Sequence, residues 1–272
     1  MEGAPVTQQV PPQAEPELEA VRNFRDVGGI PTVDGGRVRA GRLFRSGHLA
    51  HATASDTAFL SSLGLHTVFD FRNAADQALE GKDVDLPGVR NVSMPLNDPA
   101  DGAGFWKLVR NGDIGQLHAL LGDGRAATRM TDTYRSVITE KTAQHGELLR
   151  ALAGDSVPAL LHCAAGKDRA GMSIAIVLLA VGAEPGAIEE DYLKSNAPHR
   201  RYKVRRDSDA PGGMSPEVME LLNPLFEARA EYLHAALETI EETWGSTDRY
   251  FEEGLGLTPE LRGTLRGQLV ES

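Results

Sequence analysis

An apolar run of strand length, Val157 to Leu161, passes through a short polar segment into an apolar stretch of helix length, Gly171 to Val181, which Gly182 ends. No other feature of the chain constrains its fold as strongly. A buried strand feeding a buried helix is the repeating unit of an α/β sheet. The connection reads His162-Cys163-Ala164-Ala165-Gly166-Lys167-Asp168-Arg169-Ala170-Gly171, with a thiol at the strand exit and a guanidinium six residues later at the helix start.

The remaining patterns fit the same class. Val38–Arg45, His66–Phe71 and Val89–Met94 read as short strands, and Ser55 as the cap of a helix running to Leu63. Helices are expected near Phe105–Arg110, Gly115–Leu121, Thr131–Thr142, Gly146–Ala153 and Pro185–Asn196. Ser215-Pro216-Glu217 opens a long helix whose apolar face carries Val218, Leu221, Leu222, Leu225 and Phe226, with Arg229 in the same register. The expected fold is α/β: a central, mostly parallel sheet with helices on both faces and the Cys163 loop at the C-terminal end of its strand. Residues 1–20, with Pro5, Pro11, Pro12 and Pro16 and little to bury, are expected to form a disordered tail, leaving 21–272 as the folded domain.

Composition narrows the function. Lys and Arg total 28 against 39 Asp and Glu, a net charge of −11, which argues against a protein built to grip nucleic acid or anionic lipid. Any anion must be captured locally. A single cysteine forbids an internal disulfide and a multi-cysteine metal site. No run approaches the ~18 apolar residues of a membrane span, and no basic start precedes an apolar stretch at the N-terminus. A soluble, cytoplasmic protein without stable membrane insertion is expected; oligomeric state is not legible.

The loop chemistry follows from its backbone. Successive N–H groups between a strand and a helix form a concave anion site, and the helix adds its positive end. The same field favours a thiolate at its centre. Arg169 offers a planar, permanently charged fork that holds two phosphate oxygens together. Two other phosphate loops fail on residues: Leu161 and Asp168 stand where a nucleotide P-loop needs Gly and Ser or Thr, and Gly254-Leu255-Gly256-Leu257 lacks the third glycine of a dinucleotide site. The plain alternative is a buried structural cysteine beside a solvated helix start.

The pattern His-Cys-x-x-Gly-Lys-Asp-Arg-x-Gly resembles the signature of cysteine-dependent protein tyrosine phosphatases, in the atypical bacterial branch that includes dual protein and phosphoinositide phosphatases. Asn23 to Gly29, Phe44-Arg45-Ser46, Asp70-Phe71-Arg72 and the stretch from Trp244 to Arg262 resemble other elements of that branch. The resemblance implies that Cys163 attacks phosphorus to form a phosphocysteine, that the amides of Ala164, Ala165, Gly166 and Lys167 with Arg169 hold the phosphate, and that no metal or cofactor takes part. It offers Asp168 or the loop residue Asp98 as general acid, with Asp168 preferred. It also places a helical lid at 197–226, carrying the cations Arg200, Arg201, Lys203, Arg205 and Arg206, which otherwise read as a solvated face paired with Asp191 or Asp207.

Lys167 reads either as a second cation for neighbouring phosphates or as an exposed lysine. His162 orients the Cys163 neighbourhood or is a structural strand-end residue. Arg25, Asp26, Asp70 and Arg72 read as ion-paired scaffolding. Ala170 departs from the family, which carries Ser or Thr there, so either the second chemical step is slow or Ser173 compensates. The implied substrate is a phosphotyrosyl protein, with phosphoserine, phosphothreonine or a phosphoinositide as further candidates. A phosphate-binding pseudophosphatase and a thiol-dependent reductase or sulfurtransferase are the competing readings; the single thiol, with no resolving partner, weighs against redox cycling.

Overall fold

The computed structural model describes residues 17–97, 104, 108, 114–201 and 215–272. Its strands are β1 (Arg25–Asp26), β2 (Arg37–Val38), β3 (Leu43–Ser46), β4 (Thr67–Asp70), β5 (Arg90–Ser93), β6 (Ala159–His162) and β7 (Val270–Glu271). Its helices are α1 (Ala54–Ser62), α2 (Ala74–Glu80), α3 (Ile114–Leu121), α4 (Arg125–Glu140), α5 (Thr142–Ala153), α6 (Arg169–Ala180), α7 (Pro185–Leu193), α8 (Pro216–Phe226), α9 (Ala230–Trp244) and α10 (Pro259–Leu269).

Five strands form one sheet in the order β1-β3-β6-β4-β5. The β3, β6, β4 and β5 pairings are parallel, and β1 adds an antiparallel edge. β2 and β7 make a separate two-stranded ribbon near the C-terminus. Side chains alternate across the large sheet as strand geometry requires. Phe44, Val68 and Leu160 face a cluster with Leu60 and Leu65 beside α1, while Leu43, Phe69, Ala159 and Leu161 face the larger core built from α3 to α10. The mostly parallel sheet with helices on both faces therefore stands as expected.

The register aligns Ser46, His162 and Asp70 at the ends of β3, β6 and β4. All three chains leave the sheet on that edge, the carboxyl end at which open parallel sheets place their sites. Ten of the twelve α6 residues are buried, which fixes the direction in which the loop's helix departs.

Several boundaries differ from the sequence reading. The α1 cap is Thr53 rather than Ser55: Thr53 accepts the Asp56 N–H at 3.1 Å and Asp56 accepts the Thr53 N–H at 3.1 Å, a reciprocal capping box. α4 begins six residues earlier than Thr131, after Gly124 in the left-handed region. α8 starts with Ser215 as cap and Pro216 in its first turn, but it stops at Phe226, and Arg229 caps the separate α9. Of the helix expected at Phe105–Arg110 only Leu108 is described, in helical conformation and packed on the larger core, and residues 1–16 of the tail and 202–214 of the lid lie outside the described residues. Glu19 and Ala20 each donate a backbone N–H to Asp56.

One core group sets an acid limit. His145 on α5 is fully buried, with Ser173 Oγ 3.4 Å from its Nε2, and burial pushes its pKa from about 6.5 down to about 4. Between those values the unfolded chain binds a proton that the folded chain refuses. Stability present above pH 6.5 therefore falls as pH drops toward 4, by up to about 3 kcal/mol. Urea unfolding at pH 7 and 4.5 should show His145→Gln losing that much less stability than wild type over the interval; parallel losses would exclude this origin.

Candidate active site

The loop from Cys163 to Arg169 is shaped from behind by residues far away in sequence. His48 donates its backbone N–H to Ala164 O at 3.1 Å, Asn23 Nδ2 donates to Ala165 O at 3.2 Å, and Arg45 Nη2 donates to Gly166 O at 2.7 Å and Lys167 O at 3.3 Å. With four successive carbonyls drawn outward, the intervening amides turn toward the concave side. The Gly166 N–H reaches Cys163 Sγ at 3.2 Å. Gly166 has φ +69°, and a Cβ there would meet the Ser46 carbonyl carbon and oxygen at 2.4 Å, so the close approach to β3 requires glycine.

Arg45 is held in turn by Asp191 of α7. Asp191 accepts from Arg45 Nη1 at 2.7 Å and from Arg25 Nε at 2.8 Å, and all three side chains are buried. Burial works against the Asp191 charge, but Arg25 and Arg45 outweigh it and hold its pKa down at about 2. Two cations share one anion, so burial and repulsion from Arg45 lower Arg25 to about 10, still charged at neutral pH. Asp191 is thus a structural counter-ion, which corrects its pairing with the basic segment near Arg200. Arg72 and Asp70 do pair, but Arg25 pairs with Asp191, while Asp26 accepts the backbone N–H groups of Gly28 and Gly41.

Cys163 is 2% exposed, at the floor of the cradle. Arg169 Nη1 is anchored by Asp76 Oδ2, by Asn97 Oδ1 at 2.8 Å and by Phe71 O at 3.3 Å. Among the described residues Nε and Nη2 take no partner, which leaves two donors of the fork for an anion. Burial opposes the Arg169 charge; Cys163, Asp76 and Asp168 outweigh it and raise its pKa.

The candidate acids fare differently. Asp168 is half-buried within the loop, with Tyr134 Oη donating to its Oδ1 at 2.8 Å and Lys167 Nζ 3.2 Å from the same oxygen. Asp98 lies outside the described residues, as do Lys203, Arg205 and Arg206. Lys167 is 4% exposed, and its Nζ donates to Leu225 O at 2.6 Å and Glu227 O at 2.9 Å, so it ties the end of α8 to the loop. This corrects both the exposed reading and the reading of Lys167 as a ready cation for a neighbouring phosphate. Its third donor position faces Asp168. Ser173 Oγ lies 3.4 Å from His145 Nε2, so its contact is with His145 and not with Cys163 in place of a hydroxyl at Ala170.

Beneath the thiol, His162 Nε2 lies 3.0 Å from Asp83 Oδ2 and 3.8 Å from Asp70 Oδ1. These three residues form the one group among the described residues with metal-ligand geometry. Arg72 Nη2 already sits 2.8 Å from both carboxylates and supplies the positive charge a metal would bring. Burial opposes the Asp83 charge, and His162 and Arg72 together hold its pKa below the usual range.

Sequence reading missed Asn23, Asp76, Asp83, Asn97, Tyr134 and Asp191 as individual contributors. Of these only Asp76 had a local signal. Asn73-Ala74-Ala75-Asp76 is a capping box at the start of α2, and it aims the Asp76 carboxylate where Arg169 also reaches it.

A thiol in an amide cradle, an arginine fork behind it and a carboxyl within the loop are the groups that a cysteine-based phosphate-ester hydrolase needs. A model of the tyrosine phosphatase family matches residues 16–271. The chain is 34% identical to the triple specificity protein phosphatase PtpB of Mycobacterium tuberculosis, over 93% of this chain and 98% of the relative. It is 32% identical to a protein of Cupriavidus necator named provisionally as a tyrosine-protein phosphatase, over 96% of this chain and 91% of that one. The solved structure of P. aeruginosa TpbA covers 75% of this chain and 89% of its own at 18% identity, with a TM-score of 0.29, too loose a likeness to position any residue. The chain belongs to the tyrosine phosphatase family and is a cysteine-dependent phosphatase of that class. No helix among its described residues is long and apolar enough to cross a membrane.

Proposed function

We propose that Cys163 is the nucleophile, Arg169 and the loop amides of Ala164 to Lys167 the phosphate holders, and Asp168 the general acid. The observation that carries this reading is the outward anchoring of the carbonyls of residues 164–167, which leaves N–H groups and two Arg169 donors around Sγ. In the first step the S–P bond forms and the bond from phosphorus to the leaving oxygen breaks, with Asp168 giving that oxygen its proton. In the second, water attacks the phosphocysteine, Asp168 takes a proton from it, and phosphate leaves with the thiolate restored. The spread of charge on phosphorus is met by fixed donors that need no reorganisation.

The substrate is a phosphotyrosyl protein, with a wider range in the sense of the PtpB name. Arg200 and Arg201 line a small cleft with Asn23, Ala165 and Lys167 beside the loop, which suits a second anionic group of an inositol phospholipid headgroup. Of the proposed lid at 197–226, the described parts that line this cleft are Arg200, Arg201, Leu225 and Phe226, with Lys167 tied to the carbonyls of Leu225 and Glu227. A panel of phosphotyrosyl peptide, phosphoseryl peptide and inositol phospholipid tests the range. Turnover of the phosphotyrosyl peptide is expected, and Arg200→Ala with Arg201→Ala should raise KM for the phospholipid about tenfold more than KM for a small aryl phosphate. Equal effects on both would remove the headgroup role of the cleft.

A further inference from the structure

The carboxyl of Asp168 is gripped on one oxygen only. Tyr134, on α4 and 2% exposed, donates to Oδ1, and Lys167 Nζ approaches that same atom. Among the described residues Oδ2 accepts no hydrogen bond. Tyr134 Oη is also 2.7 Å from Tyr192 Oη, and Tyr192 on α7 is 1% exposed. A phenol has a single proton. With the Tyr134 proton given to Asp168, Tyr192 must donate to Tyr134, which sets the direction of the whole chain as Tyr192 to Tyr134 to Asp168. Burial raises both phenols, with the nearby Asp168 charge adding to it, so both keep their protons at working pH.

This arrangement suits a carboxyl that must alternate between acid and base. Oδ1 can accept the Tyr134 hydrogen bond whether Asp168 is ionised or protonated, because the carbonyl oxygen of a carboxylic acid is still an acceptor. The bond therefore survives both halves of the cycle and stops the side chain from turning. We propose that Tyr134, backed by Tyr192, is a positioning residue that pins Oδ1 and so confines the transferred proton to Oδ2, facing the leaving oxygen. The inference rests on Asp168 being the general acid.

The test compares kcat/KM, which reports the first chemical step, for 4-nitrophenyl phosphate, whose leaving group needs little protonation, with kcat/KM for an alkyl phosphate, whose leaving group needs it fully. Tyr134→Phe should lower kcat/KM for the alkyl ester at least about tenfold more than for the nitrophenyl ester. Asp168→Asn should shift the same ratio further, and adding Tyr134→Phe to it should shift the ratio no more, because the two act through one proton. Tyr192→Phe should give a smaller shift in the same direction, and it carries the test should Tyr134→Phe fail to fold.

If Asp168→Asn moves the ratio and neither tyrosine variant does, the positioning inference is wrong and the acid assignment stands. If Asp168→Asn leaves the ratio unchanged, the acid assignment itself falls, and the inference with it. Equal losses on both esters in the tyrosine variants would mean that the hydroxyls serve the fold and not the proton, and a further ratio shift in the double variant would mean that Tyr134 acts independently of Asp168; either result overturns the inference.

Discussion

Asp191→Asn should cost about 3–5 kcal/mol of folding stability, the range for removing one partner of a buried ion pair. The substitution keeps the shape but leaves Arg25 and Arg45, both fully buried, with no counter-charge. The Asn carboxamide can accept from one guanidinium, but its NH2 then faces the other as a second donor. A domain of this kind holds only about 5–15 kcal/mol in total, so the loss is a large fraction of it. The exposed pair Arg90–Asp155 is the control, with its side chains 48% and 80% exposed; Asp155→Asn should cost less than about 1 kcal/mol.

The effect should extend to the site. Asp191 holds Arg45, and Arg45 holds the carbonyls of Gly166 and Lys167, so the loosened variant should bind inorganic phosphate more weakly even where it remains folded. Urea midpoints with an unchanged slope measure the first effect, and phosphate protection against thiol alkylation measures the second. A stability loss under about 1 kcal/mol would mean that the triad does not support the cradle.

The chemistry of the loop was legible because it lies within ten contiguous residues. A thiol, small residues, a glycine and an arginine at fixed spacing define an anion cradle whatever surrounds them. The sheet was legible for a similar local reason: Val157–Leu161 and His66–Phe71 announce buried strands, although β6 and β4 prove shorter. What could not be read is the set of side chains that the fold delivers from elsewhere. Asp191 reaches Arg45 across 146 residues, Asp76 reaches Arg169 across 93, and Tyr134 reaches Asp168 across 34. Each is an ordinary helix residue until the β3-β6-β4 register and the helix packing are known.

Lys167 shows the same limit from the other side. Its charge and its place in the loop suggest a ligand contact, whereas its reach to the carbonyls at the end of α8 depends on where a distant helix stops. That helix stops at Phe226, two residues past Pro224, where Glu227 turns to extended backbone and Arg229 opens α9.

Cys163→Ser should lower turnover of an aryl phosphate by at least about four orders of magnitude, the scale seen when a covalent nucleophile is removed. The thiol is 2% exposed and its one described hydrogen bond comes from the Gly166 N–H, which a serine hydroxyl can also accept, so folding should be little changed. Loss of turnover with retention of phosphate binding separates a chemical role from a structural one. Ala170 sharpens the expectation. With no hydroxyl there and with Ser173 in contact with His145 instead, the thiolate leaves phosphorus without that assistance, so the second step should be the slower one and phosphocysteine should accumulate as a burst.

The most direct measurement is therefore acid quenching of the wild-type protein during turnover of an aryl phosphate, followed by mass spectrometry of its peptides. The expected result is a phosphoryl group on Cys163, formed within the burst and absent from Cys163→Ser. A phosphoryl group on any other residue, or undiminished turnover by Cys163→Ser, would contradict the assignment of Cys163 as the nucleophile.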